Sequence, residues 1–267
     1  MLTVADNIDD IYLSLVHELL IAPKVDNTYE LNNVRITLKN IDNNIVSVRN
    51  ISPAYLFGEL LWYFNADNSL KFISQFSSFW NHLSDDGETC NSAYGYLIWK
   101  KHDFNQVATV IDILRDDPNS RRAKININTP NKYVKTTKDE PCTMSLHFMI
   151  RDNRLNCTAV MRSNDIWFGF PYDVTFFTEL QKYIASKLNV GYGEYTHFAV
   201  SLHAYEKDAE MLEKIEYKQS KKPINFNRPK FYDNIKYLFS VAKEYGKETL
   251  METLETMNIY KEIKNED

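Results

Sequence analysis

Residues 145–161 read SLHFMIRDNRLNCTAVM, and the spacing inside this stretch decides the fold class. Leu146, Phe148 and Ile150 recur at every second position, and so do Leu155, Cys157, Ala159 and Met161. That is the period of strands with one face buried. Asp152 and Asn153 separate the two runs, and both residue types tolerate the backbone of a tight turn. The stretch predicts a β-hairpin.

On either side the pattern is mixed. Residues 198–205 alternate like another strand, whereas 173–188 and about 229–245 return to helical spacing. Ser52 and Pro53 announce a helix that continues through LFGELLWYF, residues 56–64. Residues 3–21 set Ile8, Ile11, Tyr12, Leu15 and Leu19 on one helical face, predicting a first helix there. Strands and helices without regular alternation point to an α+β layer fold. No repeat or low-complexity linker interrupts the chain, so residues 1–267 are expected to form a single domain.

Composition narrows the function. A net charge of −5 argues against a nucleic-acid polymer as partner, because a phosphate backbone calls for a broad basic surface. No apolar run is long enough to span a membrane, and the opening MLTVADNIDD is acidic where a secretory signal would be basic, so a cytoplasmic location is expected. Cys90, Cys142 and Cys157 show neither paired nor metal-ligand spacing; neither a disulfide framework nor a metal site is indicated.

Several polar residues fit poorly with a purely architectural role. Glu59 shares a helical face with Leu56, Leu60 and Tyr63, so it must be exposed, paired or functional. Cys142 follows Pro141 just before the hairpin; a lone cysteine of this kind is most often a small buried hydrophobe. Arg121 and Arg122 close the turn DPNSRR, Arg162 and Ser163 end a strand, and His203 and Tyr205 share one strand face. Asp173, in FGFPYDVTFF at 168–177, stands where an acid would ordinarily cap a helix.

Taken in order, ELLWYF, FWNHL, AYGY, DPNSRR, PC, MRSND, GFPYD and SLHAY resemble the thymidylate synthase superfamily over residues 50–205. The resemblance implies a large mixed sheet covered by helices and packed back to back across a homodimer. It also implies a nucleotide substrate and 5,10-methylenetetrahydrofolate as co-substrate, with no metal. Cys142 then matches the nucleophile that adds to pyrimidine C6 and makes C5 reactive. Arg162 and Ser163 match phosphate ligands, and Arg121 and Arg122 match the pair donated from the other subunit. Glu59 resembles the acid/base residue, and Tyr94 part of a water network that removes the C5 proton. Trp80, Asp165 and Arg49 match positions near the folate, and His203 and Tyr205 the pair that holds the sugar hydroxyl.

Departures from the family pattern refine the expectation. Asp173 replaces the usual asparagine, whose amide suits the N3–H and O4 edge of uracil. A carboxyl group instead suits cytosine, with its N3 acceptor and amino donor. With MRSND, PCT and SLH in place of more usual triplets, the chain resembles the branch of the superfamily that hydroxymethylates dCMP, with water as final nucleophile. A C5-methylating enzyme on dCMP or dUMP, a hydroxymethylase acting on CMP or dUMP, and a noncatalytic nucleotide-binding relative remain alternatives. Residues 25–37, VDNTYELNNVRIT, lack the expected phosphate loop and offer only Arg35 as a substitute, and the chain ends in KNED rather than an apolar tail.

Overall fold

The computed structural model describes residues 1–101, 103–128, 136–216 and 224–261; the KNED end lies outside them. Along the chain run β1 (Leu2–Ala5), α1 (Ile8–Leu20), β2 (Lys24–Val25), β3 (Thr28–Leu38), α2 (Pro53–Phe64), α3 (Leu70–Ile73), α4 (Trp80–Leu83), α5 (Tyr94–Trp99), α6 (Gln106–Asp116), β4 (Lys124–Asn126), β5 (Thr143–Arg151), β6 (Arg154–Asp165), α7 (Phe170–Leu188), β7 (Gly191–Tyr205), α8 (Ala209–Glu216), α9 (Arg228–Asp233) and α10 (Ile235–Thr256). They fall into two compact units. One comprises Met1–Arg49, Asn105–Pro130 and Cys142–Pro223; the other comprises Asn50–Phe104, Asn131–Pro141 and Ile224–Asp267.

The first unit is built on a seven-stranded mixed sheet ordered β1-β3-β7-β6-β5-β4, with β2 paired to β3. The predicted hairpin is β5 and β6, next to the β4 edge. Asp152 and Asn153 take φ of 50° and 56°, the left-handed turn that two short polar residues accept. Antiparallel pairing then sets His147 opposite Thr158 and Phe148 opposite Cys157. All seven alternating apolar residues of the hairpin are buried, with α7 against β6 and α6 against β5. β7 lies parallel to β6 and is longer than the sequence pattern indicates, beginning at Gly191.

One expectation is corrected here. Residues 2–5 form a strand parallel to β3, and helix α1 starts only at Ile8, because Asn7 caps it by accepting from the Asp9 amide at 3.0 Å. Residues 25–37, which lack the phosphate loop, form a turn and a strand instead: Asp26, at φ 51°, turns β2 into β3, which runs antiparallel to β7 along ten residue pairs.

A polar seam fixes the segment leading to Arg49. The Asp9 carboxylate accepts from the Ser47 and Val48 amides at 2.7 and 3.3 Å. Asn44 donates to Glu179 on α7 at 2.8 Å, and Lys182 also donates to Glu179, at 3.1 Å. Glu179 and Lys182 are fully buried, so their mutual hydrogen bonding offsets a desolvation that neither would bear alone.

The second unit is helical. Ser52 caps α2 by accepting from the Tyr55 amide, and Pro53 occupies its first turn, as their order in the sequence predicts. Gly95 lets α5 meet α2 at backbone distance: a Cβ there would come within 1.9 Å of the Tyr63 carbonyl oxygen. The late helix divides into α9 and α10, and Gly246, at φ 85°, interrupts α10 before it resumes to Thr256.

Candidate active site

In the first unit the open end of the hairpin collects polar side chains. Cys142 stands just before β5, partly exposed, and its carbonyl accepts from the Arg162 amide at 2.9 Å. That bond sets the candidate nucleophile beside the candidate phosphate ligand. In the parallel register of β6 and β7, Ser163 faces Ser201 and Asp165 faces His203. Ser163 Oγ and His203 Nδ1 are 3.3 Å apart, and the His203 and Tyr205 rings meet edge to face at 5.3 Å, so the two-residue spacing does place them on one face.

Burial holds the His203 imidazole below the usual histidine range, with Asp165 and Glu30 opposing. The Tyr205 hydroxyl is pushed up, first by burial and then by the charges of Asp165 and Cys142. Asp165 is itself pushed up by burial, against hydrogen bonds from the Trp167 and Phe168 amides and the charges of His203 and Arg49. Its Oδ1 accepts from those amides at 2.7 and 3.4 Å and so shapes the turn into α7.

Arg49 is 8% exposed, with its guanidinium carbon 4.6 Å from the Trp167 ring, 5.5 Å from Tyr172 and 5.9 Å from Phe168. Cation–π attraction of this kind holds a buried cation without consuming its hydrogen-bond donors. Nε and Nη1 of Arg49, the Tyr12 hydroxyl and Asp208 Oδ2 are all buried without a hydrogen-bond partner. Polar atoms in that state suit a polar ligand.

Asp173 is no helix cap. Gly169 occupies that position, and Asp173 lies in the first turn with its own amide bonded to the Gly169 carbonyl at 3.0 Å. Its carboxylate accepts instead from Asn164 Nδ2 at 2.7 Å. Burial pushes the carboxyl up to about 7; the Asn164 hydrogen bond pulls it down and Asp165 pushes it further up. Near neutrality it can therefore be donor or acceptor.

Arg121 and Arg122 are exposed on the turn leading into β4. Because Lys124 pairs with His147 and Asn126 with Ser145, that turn lies toward the closed end of the hairpin, opposite Cys142. One chain does not bring these arginines to its own Cys142. Arg35 is exposed on β3, opposite Phe198.

The second unit carries the other candidates. Glu59 is 6% exposed on α2, and Tyr55, one turn earlier, donates to Glu59 Oε1 at 2.7 Å. Trp80 Nε1 donates in turn to the Tyr55 hydroxyl at 3.1 Å. Tyr94 is 5% exposed and stacks on Tyr63 with 5.5 Å between ring centres. Glu59 is thus buried and paired. Sequence reasoning missed Tyr55, whose signal was its i−4 spacing from Glu59, and Asn164 and Trp167, which give no periodic signal.

None of the three cysteines is disulfide-bonded. Among the described residues no group of three His, Cys, Asp or Glu side chains could hold a metal ion, and no helix is long and apolar enough to cross a membrane.

Comparison with known proteins identifies the family. The thymidylate synthase family model matches residues 25–249. A deoxyuridylate hydroxymethyltransferase of Bacillus phage SP01 is 30% identical over 204 residues, covering 71% of this chain and 53% of the phage protein. A thymidylate synthase of Clostridium beijerinckii is 28% identical over 237 residues, covering 85% and 87%. A putative thymidylate synthase of Methanocaldococcus jannaschii is 36% identical over 115 residues, covering 41% and 52%. The chain spans about half the length of the phage and archaeal relatives and most of the clostridial one. With a family match that runs through both sheet and helical unit, the chain belongs to the thymidylate synthase family.

Proposed function

We propose that this protein is a dCMP hydroxymethylase, acting in the cytoplasm, a host's if it is phage-encoded, with residues 1–267 as one catalytic domain. The observation that carries the reading is Asp173: a half-buried carboxyl, titrating near 7, stands where a uracil-reading amide is expected. Protonated, it donates to cytosine N3 and accepts from the amino group; ionised, it pairs with an N3-protonated ring.

The Cys142 thiolate adds to C6 of the pyrimidine, and the electron pair of the C5–C6 bond moves toward C5. Asp173 favours that addition by placing a proton at N3. Arg162 and Ser163 hold the nucleotide phosphate, and His203 and Tyr205 the sugar hydroxyl. Glu59, kept in place by Tyr55, handles ring protons, with Tyr94 in the water network at C5. 5,10-Methylenetetrahydrofolate supplies the one-carbon unit. The unpaired donors of Arg49 suit a polar part of that co-substrate, and Asp165 and Trp80 take folate-contacting roles by the family resemblance alone. Once the C5 proton is lost and tetrahydrofolate departs as leaving group, water adds to the exocyclic methylene, and departure of Cys142 from C6 releases 5-hydroxymethyl-dCMP.

The active form is a homodimer. The sheet face opposite the helices carries the cross-strand pair Val160 and Phe198, partly exposed, and Val200, 46% exposed. Apolar surface of that kind favours burial against a second copy. Such a pairing would also supply Arg121 and Arg122 to the partner's phosphate site.

A second reading, hydroxymethylation of dUMP, draws on the activity for which the phage relative is named. Mass spectrometry after incubation with methylenetetrahydrofolate and competing dCMP, dUMP and CMP separates the two. Hydroxymethyl-dCMP as main product supports the proposal. A dUMP product would return Asp173 to a structural role, methylated dCMP would remove water as final nucleophile, and absence of product would favour a noncatalytic relative.

A further inference from the structure

Asn164 has no assigned role, yet it is the side chain that touches Asp173. It is 2% exposed on β6, and its Nδ2 lies 2.7 Å from Asp173 Oδ2. Its other end, Oδ1, is buried with no hydrogen-bond partner. Leaving a buried acceptor unmet is costly, so a purely architectural asparagine would be expected to satisfy both ends. The amide is aimed at Asp173 instead.

Gly169 supplies an independent observation. A Cβ at this position would come within 2.8 Å of Asn164 Nδ2, 3.0 Å of the Asp165 carbonyl oxygen and 3.3 Å of Asp173 Oδ2. The GFPYD motif therefore opens with the one residue that leaves room for the Asn164–Asp173 bond.

We infer that Asn164 is a positioning residue for base selection: it ties down Oδ2 of Asp173, leaving Oδ1 to meet the pyrimidine edge. This rests on Asp173 as the base reader. A carboxyl group free to rotate about its final bond would offer either oxygen to either ring, and discrimination between cytosine and uracil would fall. By donating to the carboxylate, Asn164 also keeps the proton on Asp173 exchangeable near neutrality, whereas burial alone would hold it more firmly. The titratable groups facing Asp173 are Asp165 from β6 and Tyr195 from β7, the latter held neutral by burial.

The test combines a titration that needs no turnover with a turnover ratio. Carbon-13 NMR of labelled aspartate in the unliganded protein follows the Asp173 carboxyl, its resonance assigned with Asp173→Asn. Asn164→Ala is expected to raise the midpoint by about one pH unit, the size of one hydrogen bond to a charged group. It is also expected to lower kcat/KM for dCMP about tenfold, with dUMP affected less. Gly169→Ala is expected to shift both readings in the same direction, and serves if the first variant does not fold. An unmoved midpoint in folded variants overturns the inference, as does an unchanged dCMP-to-dUMP ratio in an enzyme that uses dCMP. A moved midpoint in a protein that makes no product from dCMP would instead sink the proposed function, while leaving the hold of Asn164 on Asp173 intact.

Discussion

The Tyr55 hydroxyl donates to Glu59 across 2.7 Å while accepting from Trp80 Nε1 at 3.1 Å, so an indole, a phenol and a carboxylate form one directional chain. Each donor orients the next group. Removing the middle member leaves Glu59 buried and short of one partner. Tyr55→Phe is expected to lower kcat by about tenfold, corresponding to loss of one hydrogen bond to a charged group, with little change in KM for the nucleotide. Steady-state kinetics beside a thermal melt would separate this from unfolding.

The Asp173 carboxyl titrates near 7 in the folded chain against an ordinary value of 3.8. The folded state therefore holds an extra proton between those values. Its stabilising effect is complete below about pH 4, declines as pH rises through 7 and is absent above. Asp173→Asn should remove that decline, which in wild type amounts to about 3 kcal/mol between pH 5 and pH 8. Urea midpoints at pH 5 and pH 8 for both proteins would check it; parallel slopes would mean another group titrates.

Thiol chemistry should single out Cys142. Burial pushes the Cys90 thiol up to about 12, and fully buried Cys157 is pushed further still. Cys142 is partly exposed. Iodoacetamide at pH 8 is expected to label Cys142 and abolish turnover, leaving Cys90 and Cys157 unmodified in the native protein by peptide mass spectrometry. dCMP bound beforehand should protect.

Phe198 pairs across the uncovered sheet face with Val160 on one side and Arg35 on the other. Phe198→Asp is expected to convert a dimer to monomer in sedimentation, and to lower activity at least a hundredfold through loss of the partner's Arg121 and Arg122. An active monomer would overturn the shared site.

The hairpin was legible because a period of two and a turn of two small polar residues are local signals, and Ser52 with Pro53 is another. β1 was not, since LTVA joins smoothly to the apolar spacing of α1 and only pairing with β3 makes it a strand. β3 was missed because Asn32 and Asn33 interrupt its alternation. In the candidate site, Glu59 stood out as an acid on an apolar helical face, whereas Cys142, His203 and Tyr205 were weak signals singly and were picked out by the family resemblance. Asn164 and Tyr55 were not: each matters through one contact, made across strands and turns whose geometry no spacing rule encodes.

The hairpin also bears on the order in which the molecule assembles. Strands joined by a two-residue turn zip within microseconds, whereas β3 must find β7 across more than half of the chain. Cys142 and Arg162 bracket the local pair, so the backbone that sets nucleophile beside phosphate ligand can be in register early. His203 and Tyr205 arrive with the slower strand. Substitutions at Asp152 and Asn153, remote from any substrate, should therefore register as delayed recovery of activity on refolding more than as a defect in the finished enzyme.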